Sequence, residues 1–347
     1  MRILITGHDG YIGAVTTRFL LEAGHDVTGL DLGLFSDVTF GPPPPEVPAL
    51  LMDVRDVSAA DLAGFDAVVH LAALSNDPIG SLSPEATDEV NHVATVRLAA
   101  LAKQAGVTRF AFSSSCSLYG AAGDDLLDET AAFNPITPYA ESKILAEQGL
   151  ARLAGDDFSP TFLRNATAYG VSPRLRGDLV LNDLVGLAAT SGEVLIRSDG
   201  TPWRPLVHVE DIARAFAAVL EAPRQAVHGE AFNVGRTGEN HRIRDLASMV
   251  EEVVPGSRVV YAPGGGPDRR AYRVSCEKIR RSLPDFRPEW TARRGAEELY
   301  AAYLEHGLTR EQLEGPELTR LARVRELREA GRLDGSLRRI GSRAGSA

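Results

Sequence analysis

A glycine-rich turn near the start of the chain constrains the fold more than any other feature of the sequence. The apolar run at 2–6 has the length and composition of a buried strand. It leads into Gly7-His8-Asp9-Gly10-Tyr11-Ile12-Gly13, and a helical pattern follows from 14 to 23. Glycines at this spacing let the backbone turn sharply and approach a pyrophosphate, which the N-terminus of the helix attracts. We therefore predict a dinucleotide-binding unit with contacts from Gly7, Gly10, Tyr11, Ile12 and Gly13; a tight turn without a ligand is the alternative.

An acidic residue at the end of the next strand pattern favours the dinucleotide. Asp31 closes the pattern at 25–31 and follows Gly13 by 18 positions. A carboxylate there can accept hydrogen bonds from ribose hydroxyls and would repel a 2′-phosphate, which favours NAD over NADP. Asp53 and Val54 follow a third strand-like run and could hold the adenine ring, although a turn aspartate beside a core valine is the common alternative.

Strand and helix patterns alternate along the first half of the chain. The strand patterns lie at 2–6, 25–31, 67–71, 109–112 and 161–163, and the helical patterns at 14–23, 91–105 and 142–153. Such alternation predicts an α/β fold with a doubly wound parallel sheet and helices on both faces. Farther along, we predict helices at 179–189, 212–220 and 243–253, a strand at 231–234, and a solvated, arginine-rich helix at 315–339.

The composition excludes several classes of protein. Lysine and arginine number 37 and aspartate and glutamate 47 in 347 residues, a net charge of −10 that argues against non-specific nucleic-acid binding. Two cysteines, neither in a CxxC pair, make a disulfide framework or a structural zinc site unexpected. We find no membrane-spanning run and no signal peptide, so we expect a cytoplasmic protein.

A serine, a tyrosine and a lysine form a second motif. Tyr139 and Lys143 stand four apart in a helical pattern, so their side chains share one face. A nearby ammonium favours the phenolate, which could take a proton from a substrate hydroxyl while a hydride leaves the same carbon. Ser115 ends a strand pattern 24 positions earlier and could hold the substrate oxygen. The alternatives are an exposed helix pair and a serine-rich turn that caps a helix.

Together these segments resemble the extended short-chain dehydrogenases/reductases of the nucleotide-sugar epimerase/dehydratase family. The resemblance covers roughly residues 1–305. The motifs that carry it are the glycines at 7, 10 and 13, Asp31, Asp53-Val54, His70-Leu71-Ala72-Ala73, Asn91, SSSCSLYG at 113–120, Tyr139 with Lys143, and WRPLVHVEDI at 203–212.

The resemblance implies a Rossmann domain with tightly bound NAD and a smaller α+β C-terminal lobe for a nucleotide sugar. It implies cofactor contacts from Leu71, Ala72, Ala73, Asn91 and Ser113, besides Tyr139 and Lys143. The expected division is 1–170 for the NAD domain, with 205–235 returning to it, 171–204 and 236–314 for the lobe, and 315–347 for a C-terminal helical extension and tail. A homodimer is expected from the resemblance alone.

The resemblance also implies the reaction. Tyr139 would deprotonate a sugar hydroxyl, usually at C4, and NAD would accept the hydride; an epimerase returns it to the other face of a 4-keto sugar. A dehydratase needs a further acid after the Ser115 position, where this chain has Cys116 and Ser117, so C4 epimerisation is favoured. A dehydratase, decarboxylase or ketoreductase is the alternative, and a non-catalytic NAD(H) sensor is a third.

Substrate contacts are expected from residues scattered along the chain. They are Ser75, Cys116, Ser117, Thr167, Asn182, Arg204 and Asp268. Arg204 matches the arginine that binds the nucleotide diphosphate in the family. Cys116 is more simply a core or lining residue than a proton carrier. Asp268 lies in a segment similar to the family's ribose-binding RxGD, without its arginine.

Overall fold

Fourteen strands and thirteen α-helices are found in the computed structural model, which describes residues 1–75, 77–264, 266 and 270–340. The strands are β1 (Arg2–Thr6), β2 (Asp26–Asp31), β3 (Ala49–Leu51), β4 (Ala67–His70), β5 (Arg109–Ser115), β6 (Ala121–Leu127), β7 (Ser159–Asn165), β8 (Thr167–Tyr169), β9 (Glu193–Ile196), β10 (Trp203–His208), β11 (Ala231–Val234), β12 (Asn240–Arg242), β13 (Arg258–Tyr261) and β14 (Ala271–Val274). The helices are α1 (Tyr11–Glu22), α2 (Asp77–Leu82), α3 (Pro84–Asp88), α4 (Ala94–Gln104), α5 (Pro138–Ala151), α6 (Val180–Ser191), α7 (Val209–Glu221), α8 (Arg224–Val227), α9 (Ile243–Val253), α10 (Glu277–Ser282), α11 (Ala292–Glu305), α12 (Arg310–Glu314) and α13 (Arg320–Glu329).

Seven strands form one parallel sheet in the order β11-β7-β5-β4-β1-β2-β3. Alternate residues of β1 enter two different cores: Ile3 and Ile5 join the core that includes Phe216 of α7, and Leu4 joins the one that includes Leu98 of α4. Burial on both faces is what a parallel sheet with helices on each side requires. The predicted doubly wound parallel sheet is confirmed.

A smaller sheet lies past the end of β7. Its central strand β10 pairs in parallel with β8 and antiparallel with β12. Because β8 follows β7 almost at once, this sheet stands over the carboxyl edge of the large one and forms a second wall there. Among the described residues, no helix combines the length and the apolar composition that crossing a bilayer would need.

Several helices begin or end differently from the predictions. Helix α1 starts at Tyr11 rather than Ala14, because Gly10 occupies its N-cap position. Helix α5 starts at Pro138 rather than Ser142, because the Thr137 hydroxyl accepts from the Ala140 amide and the proline stands in the first turn. The predicted helix at 91–105 is α4 preceded by a π-helical turn, Glu89–Val93.

The prediction of an exposed helix at 315–339 is wrong. Only α13 is helical within 320–339, and the chain then turns back, with Leu333 bridged to Arg339. Gly331 has a φ of +66°, which ends the helix. Val324 and Leu327 of α13 stand three residues apart and therefore share one face of the helix. Both are buried in a core that includes Ile79 of α2.

Candidate active site

One cavity of about 810 Å³ lies at the carboxyl edge of the large sheet. Strands β1, β2, β4, β5 and β7 all end at this edge, as their parallel register requires. Most of the predicted site residues line it: Gly7, Gly10, Tyr11, Ile12, Gly13, Asp31, Asp53, Val54, Leu71, Ala72, Ala73, Ser75, Ser113, Ser115, Ser117, Tyr139, Lys143, Thr167 and Arg204. A crevice at this edge is where open α/β sheets bind ligands.

The glycine turn shapes one end of the cavity. Gly7 has a φ of +75°, and a Cβ there would lie 2.7 Å from the Ala72 nitrogen. A Cβ at Gly13 would lie 2.0 Å from the Gly7 oxygen, so larger residues at either position would push the turn apart. No side chain caps α1, and the residues of its first turn line the cavity. The free amides and the helix dipole suit the diphosphate of a dinucleotide.

Asp31 lies beside this turn at the end of β2. Its carboxylate accepts from the backbone amides of Gly33, at 2.8 Å, and Asp9, at 3.2 Å. Burial raises the pKa of Asp31, and these two hydrogen bonds lower it. Each oxygen keeps capacity for a further hydrogen bond, because a carboxylate offers about four acceptor positions. The arrangement fits the ribose hydroxyls of NAD.

Asp53 lines the cavity, but its carboxylate is already engaged. One oxygen accepts from the backbone amide and the Nε of Arg55, at 2.9 and 3.0 Å, and the other accepts from Nη2 at 2.6 Å. Burial raises the pKa of Asp53, but the hydrogen bonds from Arg55 outweigh it and bring the pKa below its ordinary value. Contact with an adenine ring therefore falls more to Val54 than to this carboxylate.

Lys143 is buried on α5 beneath the Tyr139 ring. Its Nζ donates to the Ser113 carbonyl at 2.8 Å and lies 5.7 Å from the centroid of the tyrosine ring. Burial lowers the pKa of Lys143 to about 7, while Glu147 raises it. Lys143 therefore lies on the same face of α5 as Tyr139, as the four-residue spacing predicts, while its effect on a phenolate remains a prediction.

Tyr139 forms a hydrogen bond with Ser115, the serine predicted to bind the same substrate oxygen. Burial raises the pKa of Tyr139 to about 12, the charge of Asp77 adds to this, and a hydrogen bond with Ser115 lowers it. Ser115 also accepts from the Ser117 amide at 3.1 Å, which fixes its hydroxyl at the end of β5. The two hydroxyls thus meet at the cavity wall where a substrate oxygen could join them.

Two buried polar atoms of residues that line the cavity have no hydrogen-bond partner among the described residues. They are the Ser117 hydroxyl and the side-chain oxygen of Asn165. Both residues line the cavity, and Asn165 also donates to the Ser113 hydroxyl at 3.0 Å. Unpaired buried acceptors are costly, so a polar ligand would satisfy them.

Three residues predicted as contacts do not line the cavity, and their roles remain predictions. Cys116 is fully buried, and its Sγ donates to the Arg164 carbonyl at 3.0 Å. The Asn182 amide accepts from the Gly170 nitrogen and donates to the Arg176 carbonyl. Asn91 accepts from the Leu74 amide and donates to its carbonyl, so it positions the loop after β4. Asp268 lies outside the described residues.

Several residues that line the cavity were not predicted. Asp77 accepts from the Thr137 hydroxyl at 2.8 Å and from Arg270 at 2.7 Å. Arg176 is paired with Asp178 at 2.8 Å. Asn165 could have been found, since it ends β7 directly opposite Ser115. Asp77 begins the short helix α2 and Arg176 lies in a loop, and no local pattern indicates that either faces the cavity.

Comparisons with known proteins find matches over most of the chain. The model of the NAD dependent epimerase/dehydratase family matches residues 3–235. A UDP-glucose 4-epimerase of Corynebacterium glutamicum is 29% identical over 310 residues, with 84% of this chain and 92% of that protein covered.

Two solved structures show the same architecture. The UDP-glucose 4-epimerase of Thermotoga maritima with UDP-glucose is 25% identical, with a TM-score of 0.77 over 88% of this chain and 99% of that one. The dTDP-glucose 4,6-dehydratase DesIV of Streptomyces venezuelae, with NAD and TYD bound, is 26% identical, with a TM-score of 0.75 over 90% of this chain and 100% of that one.

Proposed function

Because the chain belongs to the NAD dependent epimerase/dehydratase family, with NAD as cofactor and a nucleotide sugar as ligand, we propose that it is a C4 epimerase. The observation that carries this proposal is a shared cavity. Ser115, Tyr139 and Lys143 line the same cavity as the glycine turn and Asp31. A hydroxyl-bearing carbon held against Tyr139 would therefore lie within reach of a dinucleotide bound along that turn.

The side chains have separate tasks in this proposal. NAD, when bound, supplies the acceptor and later the donor of a hydride. Tyr139 takes the proton of the sugar hydroxyl and returns it later, while the Lys143 charge favours the phenolate that this needs. Ser115 donates to the same sugar oxygen and steadies the charge that develops there. Epimerisation then requires only that the 4-keto sugar turn over before the hydride returns.

The surroundings of Tyr139 favour epimerisation over dehydration. Loss of water from C5 and C6 needs another acid and base near the sugar. Cys116 is fully buried and bonded to a backbone carbonyl, and burial raises its thiol pKa. The charge of Asp77 raises the pKa of Tyr139. However, the two oxygens of Asp77 already accept hydrogen bonds from Thr137 and Arg270. The thiol lies outside the cavity and the Asp77 carboxylate is held in an ion pair with Arg270, so neither suits the role of that acid.

The substrate that we propose is a UDP-hexose. Arg204 of β10, opposite His241 of β12, lines the cavity and could supply the cation that a nucleotide diphosphate needs. Arginine suits this ligand because its planar fork matches phosphate oxygens. Relatives that act on UDP-glucose match this chain over most of its length, which favours uridine as the base.

The first test is the product formed from UDP-glucose. Protein incubated with UDP-glucose is expected to form UDP-galactose, an isomer of unchanged mass, which chromatography with authentic standards resolves. Tyr139→Phe is expected to lower kcat by at least about a hundredfold, because it removes the general base. Tyr261→Phe, at a half-exposed ring that does not itself line the cavity, is the matched control. Equal rates for Tyr139→Phe and the wild type would contradict the proposal.

A further inference from the structure

The segment that follows α12 lies across the loops at the adenosine end of the cavity. Arg323 of α13 donates to the Leu34 carbonyl at 3.1 Å and to Asp37 at 2.6 Å. Farther along, the Ser336 carbonyl accepts from Arg55 at 2.8 Å. This C-terminal segment, residues 315–340, therefore joins the loop after β2 to the turn after β3.

Apolar contacts fix the other side of the C-terminal segment. Leu327, Leu333 and Leu337 are buried in one cluster with Ile79 and Ala86, which belong to α2 and α3. Leu337 also lines the cavity. The segment is thus anchored at both ends, and its side chains form part of the wall over the cavity.

Arg320 is the cation that this segment brings into the cavity. It is 4% exposed and lines the cavity. Its Nη2 donates to the Arg174 carbonyl at 2.8 Å, and its guanidinium lies 3.9 Å from the centroid of the Phe35 ring. Within the described part of the chain, no carboxylate comes within 4.0 Å of it. A guanidinium has five N–H donors, so most of its hydrogen-bonding capacity is unused.

Among the described residues, no carboxylate forms an ion pair with Arg320 that would compensate its charge. Burial lowers its pKa to about 9, and the neighbouring cation Arg176 lowers it further; Asp178 acts in the opposite direction but is itself paired with Arg176. A buried, unpaired cation beside another cation is destabilising unless an anion joins them. A ligand with negative charge would remove that cost.

We propose that Arg320 binds the diphosphate of NAD. Its neighbours Phe35 and Tyr11 place it near the glycine turn and the loop after β2, at the cofactor end of the cavity, whereas Arg204 lies on β10 opposite β12. Its planar fork can donate two hydrogen bonds to phosphate oxygens opposite the helix N-terminus. Arg320 lies outside residues 3–235, which the family model matches. The proposal rests on NAD as cofactor and not on the epimerase reaction.

The test is a direct measurement of NAD binding. Calorimetry on NAD-stripped protein is expected to give an NAD Kd at least about tenfold weaker for Arg320→Met than for the wild type, as loss of a charged hydrogen bond implies. The Kd for UDP is expected to stay unchanged. Arg325→Met removes an exposed charge from the same helix and is expected to bind NAD like the wild type.

Protein stability separates binding from a structural role. The thermal midpoint of NAD-free Arg320→Met is expected to be no lower than that of the wild type, because the variant removes an uncompensated charge. Arg320→Gln, which keeps a polar group, gives a second measurement if the methionine variant does not fold. An unchanged NAD Kd, or a loss of UDP affinity in place of NAD affinity, would overturn the proposal whether or not UDP-glucose is epimerised.

Discussion

Burial moves the pKa values of Tyr139 and Lys143 in opposite directions. It raises the tyrosine to about 12 and lowers the lysine to about 7, which disfavours the charged form of each. A bound cofactor and substrate that exclude water would therefore act on a pair held close to neutrality. The spacing of the two residues is visible in the sequence, but their burial is a property of the fold.

The lowered pKa of Lys143 predicts how the free energy of unfolding depends on pH. Because its pKa is lower in the folded state than in the unfolded chain, the unfolded state binds more protons between pH 7 and about 10.4. The free energy of unfolding of the NAD-free protein should rise with pH in this window, by up to about 1.4 kcal/mol per unit from this group. Lys143→Met should lack that part of the slope, and Lys103→Met should keep it. Identical slopes for wild type and Lys143→Met in denaturant titrations would contradict the prediction.

Residue identity predicted most of the side chains that line the cavity, and it did not predict which neighbours the fold buries away from it. The glycines, Asp31 and Tyr139 could be identified because each stands at a fixed distance from a strand or helix end. Cys116 and Asn182 were predicted as contacts on sequence position alone, and both point into the core. Whether a side chain next to a motif faces the cavity depends on the local turn, which the sequence pattern does not give.

At the scale of elements, the π-helical turn at Glu89–Val93 connects the sheet edge to α4. Asn91 sits in this turn, holds the backbone of Leu74 through both amide atoms, and donates to the Ser142 hydroxyl of α5 at 3.2 Å. One side chain thus ties the loop after β4 to two helices. The loop carries Leu71, Ala72 and Ala73, which line the cavity.

Removing that link should loosen both the fold and the cofactor site. Asn91→Ala leaves the part-buried Leu74 amide and carbonyl without the amide partner, which should lower the free energy of unfolding by about 1–3 kcal/mol. The Kd for NAD should rise as well. Asn134→Ala, at an exposed amide, should change stability by less than about 0.5 kcal/mol. Equal unfolding midpoints for Asn91→Ala and the wild type would show that the link is unimportant.

The order of strands and helices was predictable because hydrophobic patterns with periods of two and 3.6 are local. The residues at which helices begin and end were harder to predict. The start of α5, for example, depends on the Thr137 cap, which lies outside the apolar pattern. The C-terminal segment was predicted as an exposed helix because its many arginines favour contact with solvent. Its folding back onto α2 depends on long-range contacts of Leu327 and Leu333.

For the whole molecule, one cavity joins the sheet edge, the small sheet and the C-terminal segment. The division into an NAD domain, a substrate lobe and a C-terminal extension remains a prediction. So does the homodimer, and light scattering of the purified protein should give twice the mass of one chain. A mass equal to one chain at micromolar concentration would contradict that expectation.

The central claim is that a sugar carbon is oxidised and reduced again inside this cavity. The most direct measurement is NMR of UDP-glucose incubated with the purified protein in D2O, without added reductant. We expect UDP-galactose with no deuterium at C4, because the hydride that leaves that carbon returns to it. Deuterium at C4, or a product lighter by one water, would contradict it.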